Sequence, residues 1–258
     1  MSIFAAEWLL RERLDWSKTD LIKHYNKNIP WEEILQFEED VNQFARGLPM
    51  QQIIGHDWFY DRKFIITEDT LIPRPETEEW IDRLLKKLPN RSLKVLDIGT
   101  GTGVLAITQK LERPQDQILA IDISRKALNI AERNANNLNA EIKFIQSDLF
   151  QELDEQTFDL ILSNPPYISW DERNLMDESV LTYEPREALF AENDGLAIYE
   201  KIATNISKYV KKGSYIALEV GYKQAETVSN LFKQSLPNGK IEIWTDFNNL
   251  NRLVFITV

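Results

Sequence analysis

The tetrapeptide Asn164-Pro165-Pro166-Tyr167 follows a run with the composition of a buried strand, Phe158-Asp159-Leu160-Ile161-Leu162-Ser163. Two consecutive prolines fix the backbone and delete two N–H donors, so the local carbonyls project as stiff acceptors. The side-chain carbonyl of Asn164 and the main-chain carbonyl of Pro165 can together hold both hydrogens of a planar NH₂ group, and Tyr167 offers a flat face against it. The nitrogen of an amide or aromatic amine has a delocalised lone pair and is a poor nucleophile. Gripping both hydrogens orients it toward an electrophile and favours pyramidal character as the transition state forms, which is differential binding. With a sulfonium methyl as electrophile no strong base is needed beforehand. Alignment then supplies most of the rate, on the order of 7–11 kcal/mol. Asn-Pro alone is usually a rigid turn leaving a sheet; its chemical weight here comes from what precedes it.

Upstream, Val95-Leu96-Asp97-Ile98 runs straight into Gly99-Thr100-Gly101-Thr102-Gly103. Glycines there let the backbone approach a ligand that a Cβ would block. A dinucleotide fingerprint would place its third glycine one residue later, where this chain has Val104, so the turn is less suited to a pyrophosphate. Asp122 lies 19 positions after Gly103, at the end of the next strand. A carboxylate there can accept both ribose hydroxyls, in NAD or in S-adenosylmethionine. Asp97 beside the turn suits a cationic amino group, and Asp148 after the third strand can read an adenine amino group. Taken singly, Asp122 reads equally as a helix-capping residue and Asp148 as a turn acid. Together, in this order, the three acids favour a nucleoside bearing an amino acid over a diphosphate.

The elements that must position these groups fall into two unlike parts. Residues 1 to about 50 read as short helices: Ile3, Phe4, Trp8, Leu9 and Leu10 recur at helical spacing. Ser17 and Pro30 are helix starts, and a third pattern from Trp31 to Phe44 ends at Gly47-Leu48-Pro49. Two extended runs, Trp58-Phe59-Tyr60 and Phe64-Ile65-Ile66, form a hairpin joined by Asp61-Arg62-Lys63, and a helix runs from Glu76 to about Leu88. From Leu93 strands and helices alternate: strands at 93–98, 117–121, 142–146, 158–163, 214–220, 241–244 and 253–258, helices at 104–111, 124–137, 195–210 and 224–234. That order predicts a mainly parallel, doubly wound sheet. The expected division is a helical domain over 1–50, a hairpin and linker over 51–75, and an α/β domain over 76–258.

Composition narrows the classes further. The 258 residues are 43% hydrophobic and contain no cysteine, which excludes disorder, disulfides, thiolate metal sites and a cysteine nucleophile. His24 and His56 lack a metal-ligand pattern and read as a surface helix residue and a turn residue; no metal is expected. No apolar run is long enough to span a membrane and Glu7 comes too early for a signal peptide, so a cytoplasmic protein is expected. The net charge is −11, and residues 1–80 hold nine basic against sixteen acidic residues. That balance disfavours phosphate binding and favours a protein partner. Glu38-Glu39-Asp40 reads as a solvated helix face, and Asn134, Asn136, Asn137 and Asn139 as a helix end and turn. No exposed apolar helix is obvious, and a monomer is expected.

The glycine turn, Asp122, Ser147-Asp148-Leu149-Phe150 and Asn164-Pro165-Pro166-Tyr167 together resemble a class I S-adenosylmethionine-dependent methyltransferase acting on nitrogen. That device is shared with N6-adenine DNA and RNA methyltransferases, which remain the alternative. Other segments resemble the PrmC/HemK family: Gly47-Leu48-Pro49 through Gly55, and above all Leu71-Ile72-Pro73-Arg74-Pro75-Glu76-Thr77-Glu78. Glu184-Pro185-Arg186-Glu187-Ala188-Leu189, Asp194-Gly195-Leu196 and Glu219-Val220-Gly221-Tyr222 continue the match. The resemblance implies methylation of the Gly-Gly-Gln glutamine of class 1 peptide chain release factors. It implies a Rossmann-like, mainly parallel seven-stranded sheet with an antiparallel C-terminal strand, behind a substrate-gripping helical domain. It assigns S-adenosylmethionine to Asp97, Gly99, Thr100, Gly101, Thr102, Gly103, Asp122, Asp148, Leu149 and Asn164. It assigns the glutamine amide to Asn164, Pro165, Pro166 and Tyr167, with Arg74 and Glu76 near the active-site mouth. Leu149 stands where relatives often have an aromatic, which weakens adenine stacking or shifts it to Phe150. The stretch Ala188 to Glu192 lacks the family's glycine pair.

Overall fold

The computed structural model describes residues 3–258. Four helices come first: α1 (Ile3–Leu14), α2 (Lys18–His24), α3 (Trp31–Ala45) and α4 (Met50–Ile54). Ser17 starts α2 with a capping box, its hydroxyl accepting from the Asp20 N–H while the Asp20 carboxylate accepts from the Ser17 N–H. Pro30 and Pro49 precede α3 and α4, and Gly55 ends α4 at φ 84°. The expected boundary at residue 50 therefore falls inside a helix, and the helical unit runs on to Ile54. Asp40 is not on a solvated face. It is 1% exposed and holds the Arg13 guanidinium through two bonds of 2.9 and 2.7 Å, tying α3 to α1.

A hairpin follows, β1 (His56–Phe59) and β2 (Arg62–Ile65), and then α5 (Pro75–Lys87). Its turn is two residues, Tyr60-Asp61, both left-handed at φ 51° and 57°, rather than Asp61-Arg62-Lys63. A two-residue turn with both φ positive matches the twist of the strands it joins. His56 opens β1, within 2.8 Å of Glu12, and is no turn residue. Asn134 is buried, not part of a helix-end turn. It brackets Ile65 with bonds of 2.7 and 3.2 Å and donates to the Thr102 carbonyl, locking the hairpin to the main body.

The large sheet and its helices are β3 (Lys94–Ile98), α6 (Val104–Glu112), β4 (Gln117–Asp122), α7 (Arg125–Asn137), β5 (Lys143–Gln146) and β6 (Phe158–Ser163). Next come a short strand β7 (Ile168–Ser169), helices α8 (Glu178–Tyr183) and α9 (Arg186–Leu189), and β8 (Phe190–Ala191), which pairs with β7. The chain closes with α10 (Ala197–Asn205), β9 (Val210–Glu219), α11 (Ala225–Ser235), β10 (Lys240–Thr245) and β11 (Asn251–Thr257). The helix expected over 195–210 ends at Asn205, because Val210 is captured by the sheet opposite Phe158 and the Tyr209 carbonyl accepts from the Phe158 N–H. The order is β10-β11-β9-β6-β3-β4-β5, and β11 alone runs antiparallel to its neighbours. The seven strands and single reversed strand are those the resemblance implied.

Strand residues alternate between two cores, as the two-residue period requires. Leu96, Ile98, Ile161, Ile216 and Leu218 face α10 and α11 with Tyr199, Ile202, Val228 and Phe232. Val95, Leu160, Leu162, Ala120 and Ala217 face α5, α6 and the hairpin with Trp80, Leu84, Leu105 and Phe64. Strands buried on both faces are parallel-sheet strands, hence their unbroken apolar spelling. Because the chain winds outward from β3 to β5 and then returns to β6 on the other side of β3, a crevice opens between the ends of β3 and β6. Open α/β sheets bind ligands there.

Candidate active site

Ile98 and Ser163 are register partners, so the residues that follow them, Gly99 and Asn164, leave the sheet side by side. The Ser163 hydroxyl donates to the Ile98 carbonyl at 2.8 Å and cross-links the two exits. Above them lies a cavity of about 340 Å³, within the ~300–1,000 Å³ range of small-molecule sites. Gly99, Thr100, Gly101, Thr102, Asp122, Asp148, Leu149, Asn164, Pro165, Pro166 and Arg74 line it, all of them expected from the sequence. Asp97, Gly103, Glu76 and Tyr167 do not line it.

Glu76 opens instead onto the neighbouring groove that meets the cavity at Pro73 and Arg74; the other three are held out of the cavity by packing. Gly103 has φ 84°, and a Cβ on it would stand 2.9 Å from Ile107 Cδ1 and 3.2 Å from Ala131 Cβ; it lets α6 pack on α7. Gly99 and Gly101, at φ 70° and 55°, would point a Cβ into open space. Those two form the cradle. Asp97 is fully buried behind the turn, where its carboxylate accepts from the Thr100 hydroxyl at 2.6 Å and its other oxygen has no partner. Burial pushes its carboxyl up to about 7.

The native state therefore keeps a proton on Asp97 from about pH 4 to about pH 7, whereas the unfolded chain has lost it. The stabilisation is complete at low pH and disappears as pH rises through 7. Asp97→Asn is expected to flatten the decline of unfolding free energy, read from urea titrations, between about pH 4 and pH 7, by an amount bounded at roughly 4 kcal/mol. A decline identical to wild type would remove this group from the pH dependence.

Asp122 is 9% exposed and accepts from the Gly101 N–H at 2.8 Å and the Ser124 N–H at 2.9 Å. It thus shapes the glycine turn and braces the start of α7 while facing the cavity. Burial raises its carboxyl above the ordinary range, opposed by these backbone donors. Leu149 adopts φ 51° in the cavity wall. Phe150 is not available to stack on a ligand: it is 7% exposed and packs on Tyr209 in the core, ring centroids 4.3 Å apart.

The Asn164 side chain faces the cavity and, among the described residues, its amide makes no hydrogen bond within the protein. Tyr167 turns away, and burial pushes its phenol up to about 12, so it stays neutral. Arg74 pairs with Glu184 at 2.7 Å, and Glu184, itself 4% exposed, also accepts from the Ile72 N–H at 3.2 Å. This pair ties the Pro73–Pro75 segment to the stretch before α9, across the cavity rim. Sequence reasoning passed over Thr70, Thr77, Ser124, Glu187 and Phe190, which also line the cavity. The hydroxyl of Thr77 donates to buried Glu219 at 2.6 Å. Only the presence of Thr77 and Glu187 inside resembling segments signalled them.

The cradle open to a ligand and the braced acid at the second strand end fit a nucleoside, whereas Asp97, walled off behind the turn, supports that turn and does not meet the ligand's amino group as expected. Comparison with known proteins agrees. The family described as PrmC N-terminal domain matches residues 2–55, and that described as methyltransferase small domain matches residues 81–189. The release factor glutamine methyltransferase of Enterococcus faecalis is 41% identical over 97% of this chain and 90% of its own. That of Staphylococcus aureus is 38% identical over 96% and 90%, and that of Bacillus subtilis 35% over 97% and 89%. Among solved structures, a methyltransferase from Pyrococcus furiosus has TM-score 0.57 at 16% identity, covering 85% of this chain and 97% of that one. A T. thermophilus 16S rRNA N2 G1207 methyltransferase, in complex with AdoMet and guanosine, has TM-score 0.53 at 13% identity, covering 79% and 49%. The fold is that of the class I methyltransferases, and the chain belongs to the release factor glutamine methyltransferase family.

Proposed function

We propose that this protein transfers a methyl group from S-adenosylmethionine to the side-chain amide nitrogen, N5, of the glutamine in the Gly-Gly-Gln motif of class 1 peptide chain release factors. The observation that carries the reading is the Asn164 amide, unpaired among the described residues and set on the same cavity as the glycine cradle. Gly99 and Gly101 admit the cofactor, Asp122 accepts its ribose hydroxyls, and Asp148 and Leu149 flank its adenine. When bound, the cofactor supplies an electrophilic methyl on a positively charged sulfur. Asn164 and the Pro165 carbonyl hold the two hydrogens of the glutamine amide and aim its nitrogen at that methyl. Pro165 and Pro166 keep those acceptors stiff. The peptide donates its surplus proton only after its nitrogen has become cationic, so no strong base is required of the chain.

An adenine in nucleic acid presents the same NH₂ group, but the surroundings disfavour it. The groove that continues from the cavity at Pro73 and Arg74 is lined by Asp57, Asp61, Glu76, Glu78, Asp82 and Asp246, among others. Carboxylates at that density repel phosphate. The helical unit, in contrast to the expectation of no exposed apolar helix, carries Ile3, Phe4, Ile22, Tyr25, Trp31 and Leu35 exposed. We assign these side chains to the release factor away from its Gly-Gly-Gln loop rather than to a second copy, which keeps the monomer reading. The division into residues 1–50 for substrate grip, 51–75 as a link and 76–258 for chemistry is part of this proposal, with the grip extended through α4. Among the described residues no helix is long and apolar enough to cross a membrane; a cytoplasmic location is part of this proposal, because its release factor substrate works there.

The test is methyl transfer from labelled S-adenosylmethionine, offered side by side to a bacterial release factor, its Gly-Gly-Gln glutamine mutant and duplex DNA. Label on the wild-type factor alone is the expected result. Label on DNA, or on the mutant factor equally, overturns the substrate while leaving the fold.

A further inference from the structure

Two glycines of the resembling segments, Gly195 and Gly221, lie outside the cavity, yet both pack around the end of the Asn164–Tyr167 segment. A Cβ on Gly195 would stand 2.0 Å from the Tyr167 carbonyl oxygen, and Gly195 has φ 80°. A Cβ on Gly221 would stand 2.8 Å from Gln224 Oε1 and 3.4 Å from the Tyr167 ring. The side chain that occupies the space between them is Gln224, at the start of α11. Its Nε2 donates to the Tyr167 carbonyl at 2.8 Å and to the Asp194 carbonyl at 3.1 Å, while its Oε1 accepts from the Gly221 N–H at 3.1 Å. The partners fix which way the amide faces: two carbonyls demand the nitrogen, one N–H demands the oxygen. All the hydrogen-bonding groups of this one side chain but one lone pair are spent on holding three separate backbone segments.

Such a brace has a purpose at this place. Pro165 and Pro166 have no N–H with which to anchor their own segment. The direction of the Asn164 and Pro165 acceptors is then set by the ends of the tetrapeptide: the register of β6 with β3 at one end and the Tyr167 peptide at the other. We propose that Gln224 is a positioning residue for methyl transfer, clamping the Tyr167 carbonyl against the Asp194-Gly195 turn so that the upstream acceptors meet the substrate amide at the right angle. The proposal rests on the reading of Asn164–Tyr167 as the amide-holding segment. Misplacement of acceptors by a fraction of an ångström to 1 Å is enough to cost orders of magnitude in an alignment-driven reaction.

The experiment compares Gln224→Leu and Gln224→Glu with wild type in the full-length protein, using labelled S-adenosylmethionine and a bacterial release factor. Gln224→Leu keeps the volume and removes every polar contact; kcat is expected to fall about tenfold to a hundredfold, with the cofactor Kd and the KM for the factor within about threefold. Gln224→Glu when ionised aims a carboxylate at two carbonyl oxygens and cannot donate to either. When protonated it donates again to one of them. Its kcat relative to wild type is therefore expected to be low at about pH 8 and to recover several-fold toward about pH 6, a profile that loss of packing alone does not produce. A Gln224→Glu ratio that is flat with pH, or Gln224→Leu turnover equal to wild type, overturns the proposal. Asn164→Ala in the same assay separates the two readings. If it retains wild-type turnover, the amide-holding role fails first; if it is impaired while both Gln224 variants are normal, only the role of Gln224 fails.

Discussion

Replacing Asn164 by alanine is expected to lower kcat by about a hundredfold or more while leaving the cofactor Kd within about threefold. Among the described residues the amide of Asn164 has no hydrogen-bond partner, so its removal breaks no contact that holds the described fold together. It faces the cavity from the end of β6, beside rather than within the glycine cradle, so the bulk of the cofactor surface is untouched. What is lost is a hydrogen bond that gains strength as the substrate nitrogen becomes pyramidal and cationic. An interaction made chiefly in the transition state is read in kcat and kcat/KM together. Deleting one preorganised partner of a developing charge typically costs about 10²–10³ in rate. Binding of the cofactor by calorimetry, alongside single-turnover methyl transfer to a release factor, makes the measurement. Equal losses in cofactor affinity and turnover would show that Asn164 serves the cofactor and that the substrate amide is held elsewhere.

Asp122→Ala is expected to produce the opposite partition. Cofactor affinity should fall by about a hundredfold or more, and kcat at saturating cofactor should stay within about fivefold of wild type. Two contributions combine. The variant loses a carboxylate acceptor for the ribose, and hydrogen bonds to charged groups are worth about 1.5–3 kcal/mol each. It also releases the Gly101 N–H and the Ser124 N–H, so the turn that forms the cradle is no longer held to the end of β4. Asp122→Asn is informative because its size is unchanged: the amide can satisfy one of the two backbone donors but presents its own NH₂ to the other. Calorimetric titration of cofactor into each variant reads the effect. An affinity within a few-fold of wild type for Asp122→Ala would reduce Asp122 to the turn and helix brace that its sequence position alone also allows.

The alternation of strands and helices from Leu93 onward was legible in the sequence because it is written in local periodicity: strands buried on both faces are spelled in unbroken apolar residues, and helices in a 3.6-residue rhythm. The glycine cradle and the Asn164–Tyr167 segment were legible for the same reason, since proline and glycine fix backbone geometry wherever they occur. The helix start at Ser17 followed from residue type within one turn. A resemblance spread over many short segments added the substrate, which no periodicity encodes.

Tertiary structure decided what depends on partners distant in the chain. Asp40 reads as one of three acids on a wet helix face, and becomes a buried ion only because Arg13 arrives from another helix to pair with it. Phe150 reads as a flat ring next to an adenine site, and is withdrawn into the core by Tyr209, 59 residues on. Gly103 and Gly101 are indistinguishable in the string Gly-Thr-Gly-Thr-Gly, yet one faces ligand space and the other the side chains of Ile107 and Ala131. Gln224 carries no local signal at all, because its three partners come from the Tyr167, Asp194 and Gly221 backbones. Sequence alone determines the conformational menu of each short segment, through backbone sterics and the apolar period. Whether a polar side chain is satisfied, buried or free to bind is set by which distant segments the sheet order brings beside it, and that is a property of the packed chain.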